Sequence, residues 1–311
     1  MSLGVNNLDK NKLYQQFLTF MTKENVLLDE PMKKHTSFKI GGPADILLTP
    51  QSIDEIQRAI EVCKAEGVAY FVMGNGSNLL IRDKGIRKVV IKIAEKFNHV
   101  VIAEEKVTAQ AGILLSTLSK RVLQKNLKGF EFASGIPGTL GGAVTMNAGA
   151  YGGEMKDVIK HCKVLNEEGE ILDLPCEVLQ LGYRTSIIQK KNYIVLEVTV
   201  QLEKGQYDEI KAVIDDLTEK RTTKQPLHFP SAGSTFKRPQ GYFAGKLIQD
   251  AGLKGARVGD AQVSELHSGF IVNVGDATAE DVLNLIALVQ KNVLEKFDVV
   301  LEPEVRIVGE E

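Results

Sequence analysis

The sequence has no tryptophan, only three cysteines and no long uninterrupted apolar run. Cys63, Cys162 and Cys176 are scattered without CxxC spacing, which fits reduced thiols and argues against a disulfide framework or a zinc site. No apolar stretch reaches the length of a membrane span. The opening segment MSLGVNNLDKNK lacks the basic start and apolar core of a signal peptide. We therefore expect a cytoplasmic protein with no membrane partner.

The chain also lacks an excess of charge of either sign. Its 311 residues include 38 Lys and Arg against 40 Asp and Glu, for a formal net charge of −2. Nucleic acids usually bind to a dominant basic field, so a nucleic-acid partner is not expected. The five histidines do not cluster with carboxylates at metal-ligand spacing, and we predict no catalytic metal.

Strand and helix patterns interleave along the whole sequence, which predicts a mixed α/β to α+β class with at least two domains. An apolar period predicts a helix over residues 8–28, and residues 208–224 form a second, highly charged helical segment. The segment KQPLHFPSAGSTFKRP contains three prolines and is interpreted as an irregular connection. Further predicted features are a helix capped by Ser52 and Glu55 and ended by Gly67, a hairpin turning at Glu168 and Gly169, a helix capped by Thr278 and Asp281, and a closing strand in VVLEPEVRIVG.

Glycine is concentrated in the stretch SGIPGTLGGAVTMNAGAYG, which holds six glycines and no charged residue. Glycine permits positive φ and lets backbone N–H groups approach a ligand closely. A run of such amides forms an anion-binding concavity without any cationic side chain. The stretch is therefore compatible with nucleotide binding, and equally with close packing of small residues.

A second glycine-rich segment, MGNGSNLLIRD, follows the strand-like run GVAYFV. It resembles the start of a GxGxxG motif, but Leu79 replaces the third glycine and LLI predicts a strand where a Rossmann fold has a helix. A P-loop is excluded because no lysine is followed by Ser or Thr at the required place. The two segments together indicate a different dinucleotide-binding fold.

Six motifs occur in a fixed order along the chain: GNGSNLLIRD, SGIPGTLGGAVTMNAGAYG, GYRTS, SAGSTFKRP, AGKLIQDAGLKG and LEPEVR. Over residues 34–309 this ordered set resembles the UDP-N-acetylmuramate dehydrogenase family, also called UDP-N-acetylenolpyruvoylglucosamine reductase. The short connection from Lys237 to Lys246 resembles the compact branch of that family, which lacks a tyrosine-bearing loop. Arg238 and His267 stand where the other branch carries amides.

The resemblance implies an α+β protein with three parts. Residues 1–33 would form an N-terminal helical segment. Residues 34–205 would form an FAD-binding domain of the vanillyl-alcohol-oxidase type, built from two subdomains. Residues 206–311 would form an α+β substrate-binding domain whose C-terminal strand returns to the active site.

The reaction that the resemblance implies is NADPH-driven reduction of UDP-N-acetylglucosamine enolpyruvate to UDP-N-acetylmuramate, with non-covalent FAD as cofactor. We also expect a monomer. Hydride would pass from flavin N5 to the vinyl carbon. Ser234 would supply the proton, while Arg184 and Glu304 would stabilise the enolate.

The resemblance also implies residues that bind cofactor and substrate. Cofactor binding is expected at Gly74, Asn75, Gly76, Ser77, Asn78, Ser134, Gly135, Ile136, Pro137, Gly138, Thr139, Gly142, Ala143, Asn147, Gly149 and Ala150. Contacts to the sugar nucleotide are expected at Lys237, Arg238, Lys246, Lys254 and His267.

Two other functions remain open at this point. The first is an FAD-dependent oxidase of the same fold, which reactivity with oxygen would distinguish. Many such oxidases attach the flavin through a histidine; neither glycine run contains one, although His35 precedes the first. The second is a nucleotide-sugar binding module without catalysis, against which the joint presence of Arg184, Ser234 and Glu304 argues.

Overall fold

The structure is a computed structural model that describes residues 9–311. Within that range the chain forms eight α-helices and nineteen β-strands. The helices are α1 (Lys10–Phe17), α2 (Ile53–Ala65), α3 (Leu115–Leu123), α4 (Leu140–Thr145), α5 (Ile187–Lys190), α6 (Tyr207–Lys224), α7 (Ala244–Asp250) and α8 (Ala279–Phe297). The strands are β1 (Val26–Pro31), β2 (Pro43–Leu48), β3 (Tyr70–Met73), β4 (Leu79–Ile81), β5 (Ile86–Lys92), β6 (Val100–Ala103), β7 (Lys106–Gln110), β8 (Leu127–Lys128), β9 (Gly149–Ala150), β10 (Gly153–Glu154), β11 (Ile159–Leu165), β12 (Ile171–Pro175), β13 (Ile194–Gln201), β14 (Glu203–Lys204), β15 (Ser231–Ser234), β16 (Arg257–Val258), β17 (Ala261–Val263), β18 (Phe270–Asn273) and β19 (Arg306–Val308).

The described residues divide into two compact units that interleave along the sequence. Unit 1 takes the described residues up to Asp29, then Asp45–Asn75 and Lys88–Glu219. Unit 2 takes Glu30–Ala44, Gly76–Arg87 and Lys220–Glu311. The division into contiguous domains 1–33, 34–205 and 206–311 stays a prediction. Residues 1–8 of the first of these domains lie outside the described residues.

Unit 1 contains an antiparallel sheet of five strands in the order β12-β11-β13-β7-β6. Its central strand, β13, has the sequence IVLEVTVQ, and β-branched side chains suit such a packed, pleated surface. The β11–β12 hairpin turns at the predicted place, with Gly169 at φ 94°. A second sheet has the order β1-β2-β5-β3.

The predicted helix over residues 8–28 is wrong beyond Phe17. Among the described residues of that segment, helix α1 ends at Phe17, and Val26–Pro31 forms strand β1. The intervening TFMT run contains only weak helix formers apart from methionine, which explains the early end. Leu13, Phe17 and Met21 are all buried nevertheless, so the apolar pattern marked burial correctly.

The predicted cap at Thr278 and Asp281 is complete, whereas the one at Ser52 and Glu55 is half formed, because the Glu55 carboxylate accepts from the Gln51 amide. The Ser52 hydroxyl accepts a hydrogen bond from the Glu55 amide, and Gly67 follows the helix with φ 65°. In the second predicted cap, Thr278 and Asp281 bond each other's backbone amides over 3.0 and 2.9 Å. Because these bonds satisfy amides that have no partner inside the helix, they fix where each helix starts.

Unit 2 is built on a four-stranded sheet in the order β15-β18-β17-β16. The apolar face of α8 is buried in the unit's hydrophobic core, through Val282, Leu285, Ile286, Val289 and Val293. A separate parallel pair joins β19 to β4, with Arg306 opposite Leu79. This pair attaches the LEPEVR segment to the strand that follows the first glycine turn.

Two predictions for unit 2 need correction. The supposedly irregular segment around Ser231–Ser234 forms strand β15, paired with β18. The closing strand is shorter than predicted and begins only at Arg306. Leu301 and Val305, which precede the strand, are buried, whereas Ile307 within it is 39% exposed.

Candidate active site

The first glycine turn connects two strands. Strand β3 leads into GNGSN, and β4 follows at once as a buried three-residue strand. This geometry confirms that the segment lacks the helix of a Rossmann motif. Gly76 has φ 64°, a conformation that favours glycine.

The two glycine-rich segments meet inside unit 1. A Cβ atom on Gly74 would lie only 2.3 Å from the Thr139 hydroxyl oxygen, so a larger residue does not fit there. Thr139 is buried and is the N-cap of α4, where its hydroxyl accepts a hydrogen bond from the Gly142 amide. Gly138, with φ 116°, precedes it. The contact places the Gly74 backbone against the Thr139 side chain and so brings the two glycine-rich segments to one place in unit 1.

Several glycines of the longer stretch have a packing role. A Cβ on Gly141 would lie 2.8 Å from that of Ala111, and a Cβ on Gly149 would lie 2.8 Å from the Gly153 carbonyl oxygen. Close packing accounts for these two positions without a ligand. Four other predicted cofactor residues of this stretch precede α4: Ser134, Gly135, Ile136 and Pro137. Ala143 lies within α4, and Ala150 follows it.

Asn147 serves the protein itself. Its side-chain amide donates to the Glu154 carboxylate over 2.8 Å and to the Gly182 carbonyl over 3.2 Å. Its side-chain oxygen accepts from the Lys156 amide over 3.0 Å, and the residue is 2% exposed. These bonds attach the GYRTS loop to the glycine-rich segment, a role that the sequence pattern did not reveal.

Arg184 lies on this loop with a left-handed backbone, φ 54°. The Gln189 side chain donates to the Arg184 carbonyl and also to the Thr145 carbonyl at the end of α4. The Ser186 hydroxyl donates to the same Thr145 carbonyl over 2.7 Å. The guanidinium carbon stands 5.3 Å from the Tyr183 ring centre. The loop therefore holds the arginine backbone in a defined position.

Ser234 and Glu304 are brought together inside unit 2. Ser234 is the exposed last residue of β15, and it follows Gly233 at φ 79°. The Glu304 amide donates to the carbonyl of the next residue, Thr235, over 2.8 Å. The side chain of Asn78, from the first glycine turn, donates to the Glu304 carbonyl over 3.2 Å.

The predicted sugar-nucleotide residues also lie in unit 2, where several have partners of their own. Lys237 pairs with Glu302 over 3.0 Å, and Lys246 pairs with Asp250 over 2.6 Å. The guanidinium carbon of Arg238 lies 4.0 Å from the Phe243 ring centre, whereas Lys254 is an exposed side chain. A phosphate ligand would have to compete with these carboxylates or share the lysines with them.

His267 is held by its own turn. Its Nδ1 accepts a hydrogen bond from the Gly269 amide over 3.1 Å, and its ring packs edge-on against Phe270. Burial lowers the pKa of His267 below its ordinary value. A neutral ring that accepts at Nδ1 carries its proton on Nε2, which makes that atom a hydrogen-bond donor.

Thr235 is a site-building residue that sequence reasoning missed. It is buried, its amide donates to the Gly269 carbonyl, and its hydroxyl accepts from the Ile271 amide over 3.0 Å. Nothing in the sequence separates this threonine from an ordinary loop residue.

In the described part of the chain, no group of three or more metal-ligating side chains is arranged to hold an ion. No helix among residues 9–311 has the length and apolar character for crossing a membrane.

Comparisons with known proteins agree with this geometry. The model of an FAD binding domain matches residues 44–175, and the model of the UDP-N-acetylenolpyruvoylglucosamine reductase C-terminal domain matches residues 225–308. The reductase of that name from Alkaliphilus metalliredigens is 67% identical over 97% of this chain and 100% of its own length. The one from Clostridioides difficile is 53% identical over 99% and 100%. The crystal structure of the corresponding reductase from Thermus caldophilus superposes with a TM-score of 0.77 at 36% identity, covering 91% of this chain and 97% of that one.

Proposed function

The chain belongs to the UDP-N-acetylenolpyruvoylglucosamine reductase family, and from this premise we propose that Arg184, Ser234 and Glu304 perform the family's reaction in it. The enzyme is an FAD-dependent oxidoreductase of peptidoglycan synthesis. It uses NADPH to reduce UDP-N-acetylglucosamine enolpyruvate to UDP-N-acetylmuramate.

Within unit 1, Gly74, Asn75 and the segment Ser134–Thr139 would hold FAD through their backbone. The contact of Gly74 with the Thr139 side chain supports this proposal, because it brings the two glycine-rich segments to one place in unit 1. When bound, FAD supplies the redox chemistry by taking hydride from NADPH and giving it to the vinyl carbon of the substrate. The protein's contribution is to orient the substrate and to manage charge and protons.

Arg184 would bind the substrate carboxylate. Addition of hydride to the vinyl carbon leaves negative charge on the carbon beside that carboxylate. A guanidinium binds a carboxylate through two parallel hydrogen bonds and stabilises an enolate that develops there. The hydrogen bonds from Gln189 and Asn147 to the loop backbone support this role, since they position the arginine before substrate arrives.

Ser234 would complete the reaction by protonating the carbon that carries the negative charge. A serine hydroxyl is a weak acid, but it can protonate so basic a centre when it is held close. Glu304 would polarise the carboxyl end of the substrate together with Arg184. The bond from the Glu304 amide to the Thr235 carbonyl is the observation that carries this proposal, because Thr235 directly follows Ser234 and the bond places Ser234 and Glu304 on neighbouring backbone segments of unit 2.

For the rest of the substrate, Lys237, Lys246 and Lys254 would contact the diphosphate, with Arg238 and His267 at the sugar nucleotide. The carboxylates that now pair with Lys237 and Lys246 would be displaced or shared in the complex. We propose that the enzyme is a monomer. We also propose that the enzyme acts in the cytoplasm, where nucleotide-linked precursors and NADPH are found.

The test is a visible spectrum of the purified protein, recorded without oxygen as NADPH and then the enolpyruvyl substrate are added. Flavin absorbance should bleach with NADPH and return with the substrate in wild-type protein. In a Glu304→Gln protein, NADPH should bleach the flavin absorbance at the normal rate, and the absorbance should return more slowly with the enolpyruvyl substrate. A flavin that only oxygen restores would favour an oxidase instead, and a normal return in Glu304→Gln would remove Glu304 from the mechanism.

A further inference from the structure

Asn78 ends the first glycine turn and makes two hydrogen bonds to the segment that contains Glu304. Its side-chain amide donates to the Glu304 carbonyl over 3.2 Å, and its own carbonyl accepts from the Arg306 amide over 3.0 Å. The next residue, Leu79, begins the parallel strand pair opposite Arg306. Asn78 thus makes the backbone hydrogen bond next to the β4–β19 pair through its carbonyl. Its side chain adds one more hydrogen bond to the segment before β19.

The peptide groups on both sides of the Glu304 Cα atom are fixed. The Glu304 amide is bonded to Thr235, and the Glu304 carbonyl is bonded to Asn78. Thr235 is itself anchored, because its hydroxyl and its amide bond to the backbones of Ile271 and Gly269. Since the backbone on each side sets the direction of the Cα–Cβ bond, these two contacts decide where the Glu304 side chain starts.

We propose that the Asn78 side chain is a positioning residue for Glu304, and that it acts through the Glu304 backbone and not as a cofactor ligand. The proposal rests on the proposed role of Glu304 in substrate reduction. Loss of the amide donor removes this hydrogen bond to the Glu304 carbonyl and lets the carboxylate shift. A displacement of 1 Å in a catalytic group lowers a rate by about 100-fold.

The experiment separates the two half-reactions in Asn78→Asp, a variant of the same shape that lacks the amide donor. FAD affinity, flavin reduction by NADPH and flavin reoxidation by UDP-N-acetylglucosamine enolpyruvate are each measured on FAD-saturated protein. FAD affinity and the reductive rate should stay within about 3-fold of wild type, while the oxidative rate falls by about 10- to 100-fold. Asn292→Asp is the matched control, because Asn292 is half-buried on α8 and its side-chain amide donates to the Leu288 carbonyl of the same helix over 2.8 Å.

Other results would overturn the proposal. A large loss of FAD affinity with normal half-reactions would make Asn78 a cofactor ligand. Equal slowing of both half-reactions, or no change in either, would leave it a purely structural residue. If Asn78→Asp does not fold, Asn78→Ser is measured instead, since serine retains a shorter donor and should slow only the oxidative rate. Wild-type protein that substrate fails to reoxidise would contradict the proposed function, a result distinct from a normal Asn78 variant.

Discussion

The amide of Glu304 donates to the carbonyl oxygen of Thr235 over 2.8 Å, directly after Ser234 in the chain. This bond places the proposed carboxylate and the proposed proton donor on neighbouring backbone segments of one compact unit. The relation makes the chemistry of each residue separately testable, because either side chain can be replaced without removing the backbone bond.

Ser234→Ala removes the proposed proton donor and leaves the backbone of β15 unchanged. We expect reoxidation of the flavin by the enolpyruvyl substrate to slow by about 100-fold or more, since general acid catalysis contributes factors of that size. Flavin reduction by NADPH should stay near the wild-type rate. Stopped-flow absorbance measures both steps, and a normal oxidative step would assign the proton to another group.

Arg184→Lys keeps the positive charge but removes the two-pronged donor geometry. Because a lysine cannot bind a carboxylate through two parallel hydrogen bonds from one planar group, kcat/KM for the enolpyruvyl substrate should fall by about 100-fold. Arg58→Lys, at an exposed position on α2 beside Phe20, serves as the control. An unchanged kcat/KM in Arg184→Lys would show that the guanidinium geometry is not used.

A comparison of Gly141→Ala with Gly142→Ala tests the packing role of glycine at two neighbouring positions of α4. A methyl group at 141 meets the Ala111 Cβ at 2.8 Å, whereas at 142 the nearest atom is the Thr139 hydroxyl at 3.5 Å. Gly141→Ala should destabilise the protein by about 1–3 kcal/mol through overpacking. Gly142→Ala should be neutral or stabilising, and thermal unfolding without FAD compares the two; equal effects would contradict the packing explanation.

His267 gives a pH dependence of stability with a defined sign. Burial lowers its pKa in the folded protein, so the unfolded chain binds a proton first as the pH falls. The contribution of neutral His267 to the free energy of unfolding is complete above about pH 6.5, the pKa of histidine in the unfolded chain. It is lost as the pH falls from there towards the lower pKa of His267 in the folded protein. The Tm of His267→Gln should fall less between pH 7.5 and 5 than the Tm of the wild type. Parallel curves of Tm against pH for the two proteins would argue against His267 as the origin of the pH dependence.

The three thiols should differ sharply in reactivity. Burial raises the pKa of Cys63 and of Cys162 to about 12, so neither forms a thiolate near neutral pH. Cys176 is only partly buried, although its pKa is also raised. Alkylation of native protein at pH 8 should modify Cys176 first, as peptide mass mapping would show, and Cys176→Ser should abolish the fast phase. Early labelling of Cys162 would contradict the buried environment of β11.

Much of the local structure was predictable because it depends on neighbours in the sequence. The caps of α2 and α8 and the hairpin at Gly169 follow from short-range hydrogen bonds and from one residue's φ. Strand β15 was missed because its partner β18 is distant in sequence and the prolines nearby favour a loop. Helix α1 was overextended because the apolar period continued past Phe17 in residues that are buried without being helical.

The site was predictable from its motifs only in outline. Arg184, Ser234 and Glu304 were identified by resemblance, while no local pattern distinguishes Asn147 and Thr235 as residues that hold the site segments together. Asn147 was predicted to bind cofactor, yet its side chain is occupied by Glu154, Lys156 and Gly182. Such roles depend on contacts between residues far apart in the chain, which a sequence pattern does not contain.

The bond between Asn78 and Glu304 spans 226 residues. During synthesis, the glycine turn and β4 leave the ribosome long before their partner segment is made. As long as residues 304–308 are inside the exit tunnel, β4 has no parallel partner and the turn has no carbonyl to bind. This part of the site therefore forms only after residues 304–308 have emerged, and until then an edge of β4 is exposed to chaperones and to other nascent chains.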